Sequence, residues 1–346
     1  MDLNVNVNYE AADKYLKIFN EINAKGKPEK ATVEELFDHE VMDQMVVHYN
    51  RPEGLNAGID KNDLMQAVIN LGNEEFSHEK EFIERFHGNL RDKIEKHDRF
   101  KKVLLEIKEK EKDIVDFSET KLKRFLPGDI DFNPKVFIVF TGYSGAYYIG
   151  QDITLDLEHI SKSINKVAST IAHELHHIVF NRFLEKEMRS GDLSKNRMAL
   201  IELIGGIAGE GIAYYCVGGN PDEGLTGYEN RESYQCDMSR WKEYFKEIND
   251  VMLSLSKGEM NRNQMYEWAS KHMKEDFGAI NTVGIKTVEA IFKFNGDKEI
   301  RNLVRCPINY LEIYNRAASY LNKSQTQECN YPVYSHELLK AINKRL

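Results

Sequence analysis

The sequence is poor in cysteine, has no obvious membrane-spanning run and shows no excess of basic residues, and each shortage narrows what the chain can be. Its four cysteines, Cys216, Cys236, Cys306 and Cys329, lie far apart with no C-x-x-C pair. Free, partly buried thiols in a reducing compartment are therefore expected, the alternative being two disulfides in a secreted enzyme. No stretch is expected to combine the length and apolarity of a membrane span, so no membrane partner is expected. Residues Asp2 to Asn8 lack the basic and apolar regions of a signal peptide, which points to a cytoplasmic protein unless a leader preceded the given chain. Lys and Arg number 47 against 56 Asp and Glu, a net charge of −9. The two signs are interspersed, which argues against a nucleic-acid partner.

What the chain does contain is the run His173-Glu174-Leu175-His176-His177, the pattern H-E-x-x-H. Residues four apart on a helix share one face, so His173 and His177 can turn their ring nitrogens to one tetrahedral Zn²⁺. Glu174 is then placed as a general base beside that metal rather than as a ligand. Ile164, Val167, Ala168, Ile171, Ala172, Leu175, Ile178 and Val179 recur at helical steps, with no Pro or Gly between Ser161 and Phe180. Ser161 or Ser163 is the expected cap. His176 lies about 100° round the helix from His177 and is read as a packing residue. Chance matches to so short a pattern occur. His336-Glu337-Leu338-Leu339-Lys340 begins the same way but has Lys340 in place of the second histidine, and it reads as an ordinary terminal helix.

A catalytic zinc takes three protein ligands and leaves one position open. The next helix, about 196–217, offers Glu210 in Gly209-Glu210-Gly211 and, two turns earlier, Glu202. Two glycines in a helix cost about 1 kcal/mol each relative to Ala, so a close approach to another helix or to the metal is the better explanation for them. A carboxylate on an apolar helix is costly to bury unless paired or metal-bound. Glu210 is therefore the expected third ligand, with Glu202 as runner-up or as acceptor for a histidine N–H.

The rest of the chain frames this site. Residues from Tyr9 to Leu126 read as helices, including a capping-box-like start at Thr32-Val33-Glu34-Glu35 and a short helix from Asp60 to Leu71. Val136–Phe140, Ala146–Ile149 and Ile153–Leu157 read as strands; helices follow to the end. The expected fold is α+β and mostly helical, with an N-terminal helical region over 1–126. A zincin-like catalytic region over 127–346 would carry a small sheet ahead of the H-E-x-x-H helix, and an edge strand of that sheet could pair with an extended peptide.

The pair H-E-L-H-H and G-E-G-I-A-Y-Y resembles the gluzincin peptidases, in particular a bacterial family of putative zinc-dependent peptidases. Thr282 to Ile291, Asn295-Gly296 and Ile308 to Asn315 are also similar to that family, so the resemblance runs from Val136 to Ala318. It implies zinc-dependent hydrolysis of a peptide or protein substrate, with His173, His177 and Glu210 on Zn²⁺ and Glu174 activating water. The chain departs from the family where an aromatic would precede Val283-Gly284, having Ile280, Asn281 and Thr282. The residue that stabilises the transition state is thereby left among Tyr228, Tyr234 and His272. No G-x-M-E-N motif is present, so the resemblance does not extend to the aminopeptidases. Two competing readings are a catalytically inactive zincin fold that binds peptide or a partner, and a helical structural protein with a fortuitous motif. Oligomeric state is not legible.

Overall fold

The computed structural model describes residues 2–51, 55–189, 194–219, 231–273, 277–324 and 330–343. The chain divides into two compact units, one of residues 2–119 and 131–174, the other of residues 120–130 and 175–346.

The first unit is a small sheet with helices. Strands β1 (Asp2–Leu3) and β2 (Asn6–Asn8) precede helices α1 (Glu10–Lys25), α2 (Lys30–Phe37), α3 (Glu40–Tyr49), α4 (Lys61–Ile69), α5 (Glu81–Arg91), α6 (His97–Glu109) and α7 (Glu111–Phe125). Then come β3 (Asp131–Phe132), β4 (Lys135–Val139), β5 (Ala146–Ile149), β6 (Asp152–Asp156) and α8 (Leu157–Ile160). The two opening strands were not anticipated, although Leu3-Asn4-Val5-Asn6-Val7-Asn8 alternates apolar and polar residues as a strand does; asparagine's low strand propensity weighs against that signal. β1 pairs with β3, and β2 with β4, both in parallel. The four-stranded sheet has the order β2-β4-β6-β5, parallel except for β5. Val136 to Phe140 are all fully buried, as a central parallel strand covered on both faces requires, and that is why they read as an unbroken apolar run.

One local expectation is corrected. Thr32 does not cap α2. It lies within the helix, and its hydroxyl donates to Glu21 Oε1 at 2.9 Å. The capping box is at α4 instead, where the Asp60 and Asp63 carboxylates each accept the other's backbone N–H, at 2.9 and 2.8 Å.

The turn from β4 to β5 is pinned by buried partners. Asp156 Oδ2 accepts from Thr141 N at 2.7 Å and Thr141 Oγ1 at 3.0 Å, while Oδ1 accepts from His159 N at 3.0 Å as the cap of α8. Tyr49 donates its hydroxyl to Thr141 O at 2.6 Å, and Asn89 its amide to Gly142 O at 2.7 Å. Burial pushes the Asp156 carboxyl above its ordinary range against the pull of Lys93 and these donors. From this fixed corner the chain enters α9 (Ile164–Arg189), with Ser163 Oγ accepting from Lys166 N at 3.1 Å. Ser163 is thus the cap, and the division between the units falls inside α9, after Glu174.

The second unit is helical: α10 (Lys195–Ile212), α11 (Arg231–Ser239), α12 (Trp241–Lys257), α13 (Arg262–Met273), α14 (Gly278–Arg305), α15 (Tyr310–Ser324) and α16 (His336–Asn343). α10 continues as a π-helical turn over Ala213–Val217. Contrary to expectation, Lys195–Val217 is long and apolar enough to cross a membrane by length and composition, but 72% of its most apolar window is buried inside the protein. α10 is the axis of this unit, and its glycines are where neighbours come closest. A β-carbon on Gly205 would stand 2.3 Å from Leu184 of α9, and one on Gly211 would stand 2.3 Å from the backbone oxygen of Gly284 on α14. α14 is itself bent at Asn295-Gly296, Gly296 taking φ +60°. Cys216, Cys236 and Cys306 are free, as expected; Cys329 lies outside the described residues.

The glycine contacts generate a paired prediction. In Gly284→Ala the new methyl would meet Ile207 O at 2.5 Å and Gly211 N at 2.9 Å, and the loss should be about 1–3 kcal/mol. Gly206→Ala, on the same α10, meets nothing within 4 Å and should gain up to about 1 kcal/mol from helix propensity. Urea unfolding midpoints of the two variants against the parent check both signs.

Candidate metal centre

His173 and His177 stand one turn apart on α9, both half-buried, while Ala172, Leu175, His176 and Ile178 around them are buried. This is the pattern of a core helix with one polar window. His176 is fully buried, with its ring 5.6 Å from that of Phe180 and 5.8 Å from that of His177. It packs, as expected from its place on the helix.

Glu210 reaches this window from α10. Its Oε1 lies 3.3 Å from His177 Nε2, and the Glu210 side chain is 30% exposed. Gly209 faces the same helix: a β-carbon there would lie 3.6 Å from His177 Nδ1 and 3.3 Å from the Phe180 ring. The glycine next to the carboxylate is thus explained by helix packing, and the helix packing brings carboxylate and imidazole together. One donor atom from each of His173, His177 and Glu210 lies within 4.8 Å of the others. Ligands about 2.0–2.2 Å from a tetrahedral zinc stand roughly 3.3–3.6 Å apart. The 3.3 Å contact between His177 and Glu210 meets that spacing, and two imidazoles and one carboxylate are donor types that suit zinc.

Glu202 is engaged elsewhere. Arg262 grips it with two donors, Nε to Oε2 at 2.9 Å and Nη2 to Oε1 at 2.7 Å, and Tyr266 OH adds a contact at 3.2 Å. It is therefore not the third member of the cluster. Nothing in the sequence around Glu202 reveals this, because Arg262 comes from another helix.

Glu174 is half-buried beside His173. Of the residues considered for transition-state stabilisation, Tyr234 is buried edge-on against Phe277, ring centres 5.2 Å apart. His272 shares Glu247 Oε1 with the Trp268 indole, at 2.9 and 2.7 Å. Tyr228 lies outside the described residues. Tyr214, four residues after Glu210, packs its ring 5.1 Å from Phe277, within the π-helical turn that begins at Ala213.

Over residues 33–323 the sequence matches the family described as "Putative zinc dependent peptidase (DUF5700)". The chain belongs to that family. No curated protein and no solved structure matches it. The family match extends the resemblance read from Val136 to Ala318 back across the helices from α2 onward. The helices α3 to α7 thus lie wholly within the matched span, and β1, β2 and α1 precede it.

The cluster predicts a metal dependence that can be assigned residue by residue. Purified protein should hold about one equivalent of zinc by elemental analysis. His177→Ala and Glu210→Ala should lose it, and Glu202→Ala should keep it.

Proposed function

We propose that this family member hydrolyses peptide bonds as a gluzincin-type zinc peptidase, with His173, His177 and Glu210 as the metal ligands and Glu174 as the general base. The observation that carries the reading is the convergence of His177 and Glu210 from two helices, with His173 one turn away on the first. The family description supports it in general terms.

A zinc ion held by these residues would polarise a carbonyl and acidify water at its open position. Everything else falls to the protein. Glu174, next in sequence to His173, takes the proton from the attacking water and returns it to the leaving amine. Buried Ala172, Leu175 and Ile178 hold its helix in one orientation and keep bulk water from the inner side. The peptide itself would be held as an added strand. β5 is an outer strand of the sheet, antiparallel to β6, and outer strands offer main-chain groups to an extended chain. One of those groups is already engaged, because Arg51 Nη2 donates to Tyr148 O at 2.6 Å.

Glu174→Gln separates binding from chemistry. The amide matches the carboxylate in size but cannot accept a proton, so the variant should keep its zinc and lose about 10²–10⁴ in turnover of a mixed peptide library. Zinc retained with undiminished turnover would sink the assignment of Glu174. Zinc bound by the parent protein without hydrolysis of any library member would favour a binding protein on the same scaffold.

A further inference from the structure

The second unit carries a cavity of about 260 Å³ whose wall is strongly cationic on one side and aromatic on the other. Lys286, Glu289 and Lys293 come from successive turns of α14, Trp241 and Lys242 from the start of α12, and Tyr331 from the segment ahead of α16. Three ammonium groups thus face one carboxylate.

Two of the lysines are accounted for. Glu289 Oε2 takes Lys286 Nζ at 3.1 Å and Oε1 takes Lys293 Nζ at 2.6 Å. Burial pushes the Glu289 carboxyl up, but Lys293 and Lys286 together hold it below the usual range. The carboxylate is therefore ionised, and its capacity is spent on these two partners. Lys242 is different. Its Nζ stands 5.9 Å from the Trp241 ring centre, and it makes no ion pair among the described residues. Helical ion pairs three and four residues apart explain Lys286 and Lys293 as an ordinary solvated face. They do not explain why a third ammonium, from another helix, closes the same hollow. The rings opposite are the Trp241 indole and the largely buried Tyr331, centres 5.9 Å apart and inclined by 56°. Packed against each other, they give the cavity an apolar, aromatic wall.

We propose that this cavity is a binding site for a small ligand that joins a flat ring to an anionic group, carboxylate or phosphate. The ring packs against the aromatic wall of Trp241 and Tyr331, and the anion sits against Lys242 and the outer hydrogens of Lys286 and Lys293. Lysines act as point charges and do not choose between the two anions by geometry. The volume, just under the range of about 300–1,000 Å³ for drug-sized ligands, limits the occupant to a fragment of one ring. The site does not depend on the metal centre or on the activity assigned to it. Tyr215 links the two regions in sequence: it follows Glu210 by five residues and feels the charges of Glu289 and Lys293.

The test uses the full chain with phenyl phosphate, benzoate and inorganic phosphate as probes, read by calorimetry and by tryptophan fluorescence. Phenyl phosphate and benzoate should bind saturably with dissociation constants on the order of 1 mM, and added salt should weaken them. Whichever binds tighter identifies the preferred anion. Inorganic phosphate should bind at least about tenfold more weakly for lack of the ring. Trp241→Phe should remove the fluorescence response, leaving Trp268 silent. Lys242→Glu should weaken binding about tenfold or more while leaving zinc content unchanged, and Lys242→Arg should restore it. Absence of saturable binding by both ring-bearing anions, equal binding by Lys242→Glu, or phosphate binding as tightly as phenyl phosphate would each overturn the proposal.

Discussion

The metal centre proposed for this protein depends on how closely α10 can lie against its neighbours. Glycines at 205, 209 and 211 remove the side chains that would keep α9 and α14 at ordinary distance, and the backbone of Gly284 meets that of Gly211. An ordinary helix pair sits 8–10 Å apart, and a glutamate on one would reach a histidine on the other only by chance of rotamer. Here the approach is fixed by backbone, and Glu210 arrives 3.3 Å from His177 without a choice of its own. The same glycines lower the intrinsic stability of the helix. That loss is offset because the helix is buried along most of its length and is supported by packing rather than by propensity.

The first unit solves a different problem by different means. Its sheet is short, and the turn that leads to its outer strand holds its shape through buried polar contacts. Asp156 takes three donors, Tyr49 and Asn89 each take a carbonyl, and His48 bonds Ser144 Oγ at 2.9 Å while stacking on Tyr147. Burial drives the His48 imidazole down to about 4, so at neutral pH it is uncharged and serves as a packing and hydrogen-bonding ring. A corner built in this way allows little movement.

Much of this was legible in the residues, and the failures have physical causes. The H-E-x-x-H helix, the strands at 135–156 and the pairing of Glu210 with His177 followed from spacing and from the oddity of a carboxylate between two glycines. Those signals are local, or join two segments each marked by its own sequence. Contacts that join unmarked segments were invisible. Arg262 on Glu202 and Thr32 on Glu21 are examples, since nothing near either residue announces its partner. The span Lys195–Val217 was misjudged for a related reason: hydropathy measures the residues, while the destination of an apolar helix, lipid or core, is set by what else packs against it.

β2 has a consequence for the order in which the protein can form. Asn6, Val7 and Asn8 take their places against Lys135, Val136 and Phe137, so the beginning of the chain has no strand to join until β4 has been made. During synthesis α1 to α7 can gather by local contacts while the first strand waits, because closing so long a loop must precede any reward from the pairing. The sheet is then completed in one late step: β4 enters, takes β2 on one side and, once β5 has turned back, β6 on the other. The helix with the metal motif follows immediately in the chain. Its first half belongs to the unit that this late step completes, so the pairing of residues 6–8 and the settling of the H-E-x-x-H helix fall within the same unit.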